Sequence, residues 1–276
     1  MLNKEEYMKR LENALSDIRK VTDFKPEIAI VLGSGLGNFA DNIEVEAVVD
    51  YKSIGGFPVS TAPGHAGQLI FGCLAGKKVV CMKGRVHYYE GYEMSEVVLP
   101  LRVMKLLGAE TVILTNAVGC MNRDFGIGSF MAVSDCITSF IPSPLRGPNL
   151  DELGERFVDV SEIYDNRMRK AVLKLGDKLG IEVHEGVFIQ LPGPQFETAA
   201  EIRFYSSIGA DCAGMSTACE AVAAAHMGMR CCQICCITNM ATGISETKLS
   251  GEEVIEIANR VSRDFEALIS GLVAEI

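Results

Sequence analysis

Short apolar runs alternate with stretches of helical periodicity along this 276-residue chain, and most of the runs stop on a glycine or a polar residue. Ile28 to Leu32 runs into Gly33-Ser34-Gly35-Leu36-Gly37, Thr111 to Thr115 stops at Asn116, and Arg230 to Thr238 stops at Asn239. Apolar runs bounded by turn residues read as buried strands. Val45 to Val49 and Val183 to Ile189 are further strands, and Leu69 to Leu74 pairs with Lys78 to Met82 through Ala75-Gly76. Met8, Leu11, Leu15 and Ile18 mark a first helix. Others cover Ser95 to Leu107, with Pro100 in the first turn or kinking it, Met168 to Leu179, Ala199 to Ser207 and Ala218 to Met227. Val254, Ile257, Val261, Phe265 and Leu268 draw one stripe along a final helix that Ser250 caps. Asp135 to Asp159 has little periodicity and holds Pro142, Pro144 and Pro148, so a lid or a subunit contact is expected there. No linker divides the chain and no repeat appears. The expectation is a single α/β domain over 1-276 with a central sheet.

Composition limits the function. Apolar residues make up 48%, enough for an extensive core. Most of the ten cysteines sit in apolar runs, which reads as buried thiols in a reducing compartment. No apolar stretch follows Met1 and none reaches the length of a membrane span, so a cytoplasmic protein is expected. The net charge of −10 disfavours a nucleic-acid backbone as partner. It leaves room for a small anion met by local donors.

The strand ends supply candidates for such donors, because ligands of open α/β sheets collect beyond the carboxyl ends of strands. Gly33-Ser34-Gly35-Leu36-Gly37 can turn backbone N–H groups toward an anion, although an ordinary turn reads the same way. Its spacing and the short segment behind it fit neither a dinucleotide fingerprint nor a Walker loop. Gly84-Arg85-Val86-His87-Tyr88-Tyr89-Glu90-Gly91 is the densest polar cluster. Arg85 brings a fork suited to phosphate oxygens, and in an extended segment His87 and Tyr89 share its face. His65, between small residues in Gly64-His65-Ala66-Gly67, allows close approach of a ligand. Cys232 and Cys235 have the Cys-x-x-Cys spacing, but side chains three apart in a strand oppose each other, so no metal is expected. No Gly-x-Ser-x-Gly elbow marks a serine hydrolase.

These segments, with Thr115-Asn116-Ala117, Pro144 to Pro148, Gly193-Pro194-Gln195-Phe196-Glu197-Thr198, Gly214-Met215-Ser216-Thr217 and Thr238-Asn239, occur in the order found in trimeric purine nucleoside phosphorylases, which the chain resembles from its first helix to its last. The resemblance implies a distorted mixed sheet surrounded by helices, a homotrimer and no cofactor, with inorganic phosphate as co-substrate. It implies that Ser34, His65, Arg85, His87, Ala117 and Ser216 hold phosphate. Tyr89 and Met215 would line the ribose, Phe157 would reach a neighbouring subunit's ribose pocket, and Phe188 and Phe196 would join the nucleoside contacts. Glu197 and Asn239 would bond the purine edge, and with His87 they would form the catalytic set. The implied reaction is phosphorolysis of inosine, guanosine and their 2′-deoxy forms.

Three departures from the family pattern stand out. Gly251 replaces a histidine that contacts the ribose 5′-hydroxyl, Val118-Gly119-Cys120 replaces Ala-Gly-Gly, and Gln195 replaces a serine. Gly251 keeps open a phosphorylase of 5′-modified nucleosides such as methylthioadenosine. Two further functions stay open on this sequence, a non-catalytic purine-binding protein and a nicotinamide-dependent oxidoreductase.

Overall fold

The computed structural model describes residues 3–61, 66–245 and 248–276. Nine strands form its sheet: β1 (Ile28–Val31), β2 (Glu44–Asp50), β3 (Gln68–Leu74), β4 (Lys77–Lys83), β5 (Thr111–Cys120), β6 (Phe130–Ile137), β7 (Val183–Gln190), β8 (Cys212–Gly214) and β9 (Arg230–Met240). Their order is β2-β3-β4-β1-β5-β8-β7-β6-β9, and β9 pairs back onto β5. The last five strands therefore close into a ring, with β2, β3, β4 and β1 extending from it as an open wing. β1 is parallel to β4 and β5, and β5 is parallel to β9. β3 runs antiparallel to both of its neighbours, β2 and β4.

The strand sequences explain this layout. All four residues of β1 are buried, as parallel strands covered on both faces require. Ala29 and Val31 enter one apolar cluster, and Ile28, Ile30 and Leu32 enter the cluster on the opposite face. The β3–β4 hairpin turns through Ala75 and Gly76, both at positive φ, which suits a tight two-residue turn. Cys232 and Cys235 fall into opposite clusters, as strand alternation dictates.

The helices are α1 (Lys4–Arg19), α2 (Met94–Val97), α3 (Leu99–Leu107), α4 (Asn166–Leu179), α5 (Ala199–Ser207), α6 (Ala218–His226), α7 (Gly251–Arg260) and α8 (Ser262–Glu275). Pro100 lies in the first turn of α3, where its missing N–H costs nothing. Among the described residues no helix is long and apolar enough to cross a membrane.

Some sequence expectations need correction. The supposed loop from Asp135 begins inside β6, so the irregular connection starts after Ile137. β8 has three residues, too few to leave a periodic trace. The C-terminal stripe spans two helices, because Val261 (φ −101°, ψ 12°) interrupts the helical backbone while keeping its side chain in register. Asn116, Ala117 and Asn239 lie within β5 and β9, before the ends of those strands.

Candidate active site

The site is built around Thr115. Its hydroxyl donates to the Val31 carbonyl at 2.9 Å and accepts from the Gly33 N–H at 3.2 Å, tying the glycine loop to β5. A Cβ at Gly33 would stand 2.6 Å from Asn116 Cα, so only glycine permits this approach. The residues after the loop, Gly37–Asn42, wind as a short 3-10 helix. A dinucleotide loop would open an α-helix there.

The Thr115 carbonyl also accepts from Arg85 Nη1 at 2.7 Å, while Arg85 Nε donates to Glu220 Oε2 at 2.8 Å. Arg85 and Glu220 are both almost fully buried. Burial pushes the Glu220 carboxyl up, and the adjacent guanidinium pulls against that. The guanidinium is thus clamped before any ligand arrives. Glu220 belongs to the first turn of α6, whose N-terminal amides favour negative charge.

His87 follows in extended conformation, and residues Tyr88–Glu90 form a single 3-10 turn, so Tyr89 does not continue an extended face. Its ring stacks on His87 instead, with centroids 4.7 Å apart. His87 Nδ1 lies 3.0 Å from Glu90 Oε1, and the His87 N–H donates to the same oxygen at 2.7 Å. The Glu90 carboxylate accepts the Nδ1 proton and so orients the ring. Burial raises the Glu90 carboxyl, but the bonds from His87 and Thr61 outweigh it and hold the pKa at about 2.

Ser216 and Thr217 lead into α6. Thr217 has φ 80° and ψ −51°, a strained conformation that brings the Ala218 N–H to the Ser216 carbonyl at 3.2 Å. A Cβ at Gly193 would collide with Met215 Sδ and stand 3.3 Å from the Tyr89 ring, so Tyr89, Met215 and the 191–198 loop share one neighbourhood.

Asn239 owes its position to a bulge. Val118 pairs with Ile237 but Gly119 pairs with Asn239, so Thr238 is the extra residue. Bulges re-aim the side chains that follow them. Thr238 Oγ1 donates to Asn239 Oδ1 at 3.0 Å, and Asn239 Nδ2 donates to the Met240 carbonyl at 3.1 Å. A Cβ at Gly119 would lie 3.1 Å from Nδ2. Beyond β9, a Cβ at Gly243 would lie 2.6 Å from Ala199 Cβ, which sets the segment after Asn239 against the helix that follows Glu197. Glu197 is half-buried; burial raises its pKa, and Glu201 adds to the effect.

The sequence and the fold are shared with known proteins. The phosphorylase superfamily model matches residues 27–274. The chain is similar to purine nucleoside phosphorylase 1 of Geobacillus stearothermophilus, with 45% identity over 263 residues that cover 95% of this chain and 96% of the relative. It is similar in fold to the crystal structure of Schistosoma mansoni purine nucleoside phosphorylase in complex with inosine, with TM-score 0.92, 35% identity and coverage of 98% and 97% of the two chains. The complex of the Schistosoma mansoni protein with adenosine matches with TM-score 0.92 and 36% identity, covering 98% of each chain. This chain belongs to the phosphorylase superfamily, among the purine nucleoside phosphorylases.

In this phosphorylase, Ser34, Arg85, His87, Ala117 and Ser216 lie on segments that converge on Thr115, Asn116 and the start of α6. Phe196 is 41% exposed beside Glu197, and Phe157 is 87% exposed on the connection before α4. Phe188 is fully buried, and a Cβ at Gly214 would meet its ring at 3.2 Å, so the ring packs against the backbone of β8. His65 lies outside the described residues. Sequence reasoning assigned no role to Glu220, Glu90, Thr115 or Gln233, whose partners are known only once the chain is folded. A cleft of about 510 Å³ opens elsewhere, against Asp159, Glu162, Asp165, Arg167 and Arg230. Its acidic rim suits an anion less well than the clamped Arg85 does.

Proposed function

We propose that this phosphorylase cleaves inosine, guanosine and their 2′-deoxy forms with inorganic phosphate, releasing purine and (deoxy)ribose 1-phosphate. The observation that carries this reading is the pairing of a preset cation with a preset amide. Arg85 is immobilised by Glu220 and the Thr115 carbonyl, and Asn239 is oriented by Thr238 on its bulge. As the glycosidic bond lengthens, positive charge builds on the ribose and negative charge on the purine. A phosphate held by Arg85, His87, Ser34, Ala117 and Ser216 stabilises the first and then attacks C1′. Asn239 Nδ2, with one hydrogen engaged by Met240, offers the other to purine N7 and stabilises the second. Ionised Glu197 accepts from N1–H. Donors fixed in advance need no reorganisation as charge develops. An adenine presents the opposite pattern at N1 and C6, leaving the site's polar groups mismatched.

The open space at Gly251 favours a second reading on the ribose side. Among the described residues, and apart from its chain neighbours and its own helix, nothing lies within 4 Å of a Cβ built there, so glycine itself offers a 5′-substituent no side chain from that position. A panel of inosine, guanosine, adenosine and methylthioadenosine, with and without phosphate, tests both. Phosphate-dependent release of hypoxanthine faster than adenine supports 6-oxopurine preference, and faster turnover of methylthioadenosine overturns it.

A homotrimer follows from the same reading. Arg156 lies 6.0 Å from the Phe157 ring and is anchored on the Leu145 and Gly147 carbonyls. Phe157 is thereby left exposed to solvent in the single chain. Phe140, Phe204 and Tyr205 form an aromatic cluster that is partly exposed. Sedimentation at assay concentration tests the assembly.

A further inference from the structure

Behind the Ser216–Thr217 turn lies an amide that takes no part in the proposed reaction. Gln233, on β9, is fully buried. Its Nε2 donates to Thr217 Oγ1 at 2.8 Å and to Asn116 Oδ1 at 3.3 Å. Its Oε1 accepts from the Tyr164 hydroxyl at 2.6 Å. Thr217, Asn116 and Tyr164 are themselves buried.

The direction of these bonds carries chemical information. An amide donates only from nitrogen, and Gln233 Oε1 here accepts the Tyr164 hydroxyl proton. Nε2 then faces Thr217 and Asn116. Thr217 Oγ1 accepts from Gln233 and directs its own proton to the Ser216 carbonyl. Asn116 accepts through Oδ1, which turns its Nδ2 away from Gln233. One side chain therefore sets the polarity of two others, and the backbone of one of them, Asn116, is the surface on which Gly33 rests.

Thr217 needs such a hold. A non-glycine residue at φ 80° costs roughly 1–3 kcal/mol and persists only where its surroundings over-determine it. The strain has a use, since the turn presents Ser216 and starts α6.

We propose that Gln233 is a positioning residue for phosphate: it locks the Ser216–Thr217 turn and the Asn116 amide in the arrangement that receives the anion, without touching the anion itself. This rests on the phosphorolysis reading above. The purine side of the site stands on the Thr238 bulge and the 191–198 loop, neither of which bonds to Gln233. Loss of Gln233 therefore separates the two substrates.

Two variants test it. Gln233→Met keeps the approximate volume and removes every hydrogen bond. Gln233→Glu keeps the acceptor for Tyr164 but sets an oxygen against Thr217 Oγ1 and Asn116 Oδ1. Steady-state kinetics should show the KM for phosphate raised about tenfold or more, equivalent to about 1.4 kcal/mol, with the KM for inosine nearly unchanged. If Gln233→Met does not fold, Gln233→Glu decides the matter. An unchanged phosphate KM in a folded variant overturns the proposal, as does an equal rise in both KM values. If the unmodified protein releases no hypoxanthine with phosphate, the reading of the reaction fails instead. Calorimetric titration of inorganic phosphate into the unmodified protein and both variants then decides the role of Gln233 on its own, with weaker binding in the variants expected and equal binding overturning it.

Discussion

Asn239 and Glu90 show how single side chains are prepared in advance. Asn239 has its carbonyl end engaged by Thr238 and one amide hydrogen by Met240. In the proposed reaction Asn239→Ala removes a donor matched to charge that develops only in the transition state, so kcat should fall by about two orders of magnitude, near 3 kcal/mol. A loss confined to the nucleoside KM would mean that Asn239 binds the base without assisting its departure. Glu90 acts through His87. Its carboxyl is lowered from 4.5 to about 2 by bonds that outweigh its burial. A depressed carboxylate contributes stability that is present above its unfolded pKa and lost as pH falls through its folded one. Acid unfolding should therefore steepen between pH 4.5 and about 2, and Glu90→Gln should flatten that limb in a denaturation series. Glu197 works with the opposite sign. Its raised pKa favours folding when protonated, whereas the role proposed for it, accepting from purine N1–H, requires ionisation. Stability gained in a Glu197→Gln variant at neutral pH would come with lost turnover.

Among the elements, uninterrupted apolar strands were legible, while interrupted strands and the true ends of β5 and β9 were not. Gly33, Arg85 and Asn239 could be read because each follows an apolar run and breaks it with a residue unsuited to a core. β6 could not, since Ser134 and Asp135 interrupt the run that Phe130 begins and break its alternation. The break between α7 and α8 was hidden because the apolar stripe continues across Val261. Glu220 and Gln233 carried no local signal: Arg85 and Glu220 are 135 positions apart, and Gln233 is 117 from Asn116. Their meaning arises only when the sheet brings those segments together. The glycine loop gives this scale its own test. Gly33→Ala forces a methyl against the Asn116 backbone. Overpacking of that kind costs about 1–3 kcal/mol. A lower Tm with a raised phosphate KM is expected, and a variant with wild-type values for both would show that the loop does not rest on β5.

For the molecule as a whole, the open question is what Phe157 touches. The rest of its segment is tied down by Arg156 and by Tyr164, while the ring stands 87% exposed. An aromatic ring presented in this way suits a neighbouring copy better than solvent. Phe157→Ala should raise the nucleoside KM several-fold with little change in the stability of the fold. Dilution below the dissociation range of the proposed trimer should produce the same loss in the unmodified protein. If neither happens, each chain's site is complete by itself.

Closure of β5, β8, β7, β6 and β9 on one another has a kinetic corollary. A strand bonded on both sides frees its amides only when a neighbour detaches. The backbone beneath Asn116 and Asn239 should accordingly be among the slowest in the molecule to take up deuterium. Residues 242–245, which follow β9 outside the sheet, should exchange earlier. Catalysis would then run on a frame that outlasts many turnovers, while substrates come and go along its faster-breathing rim.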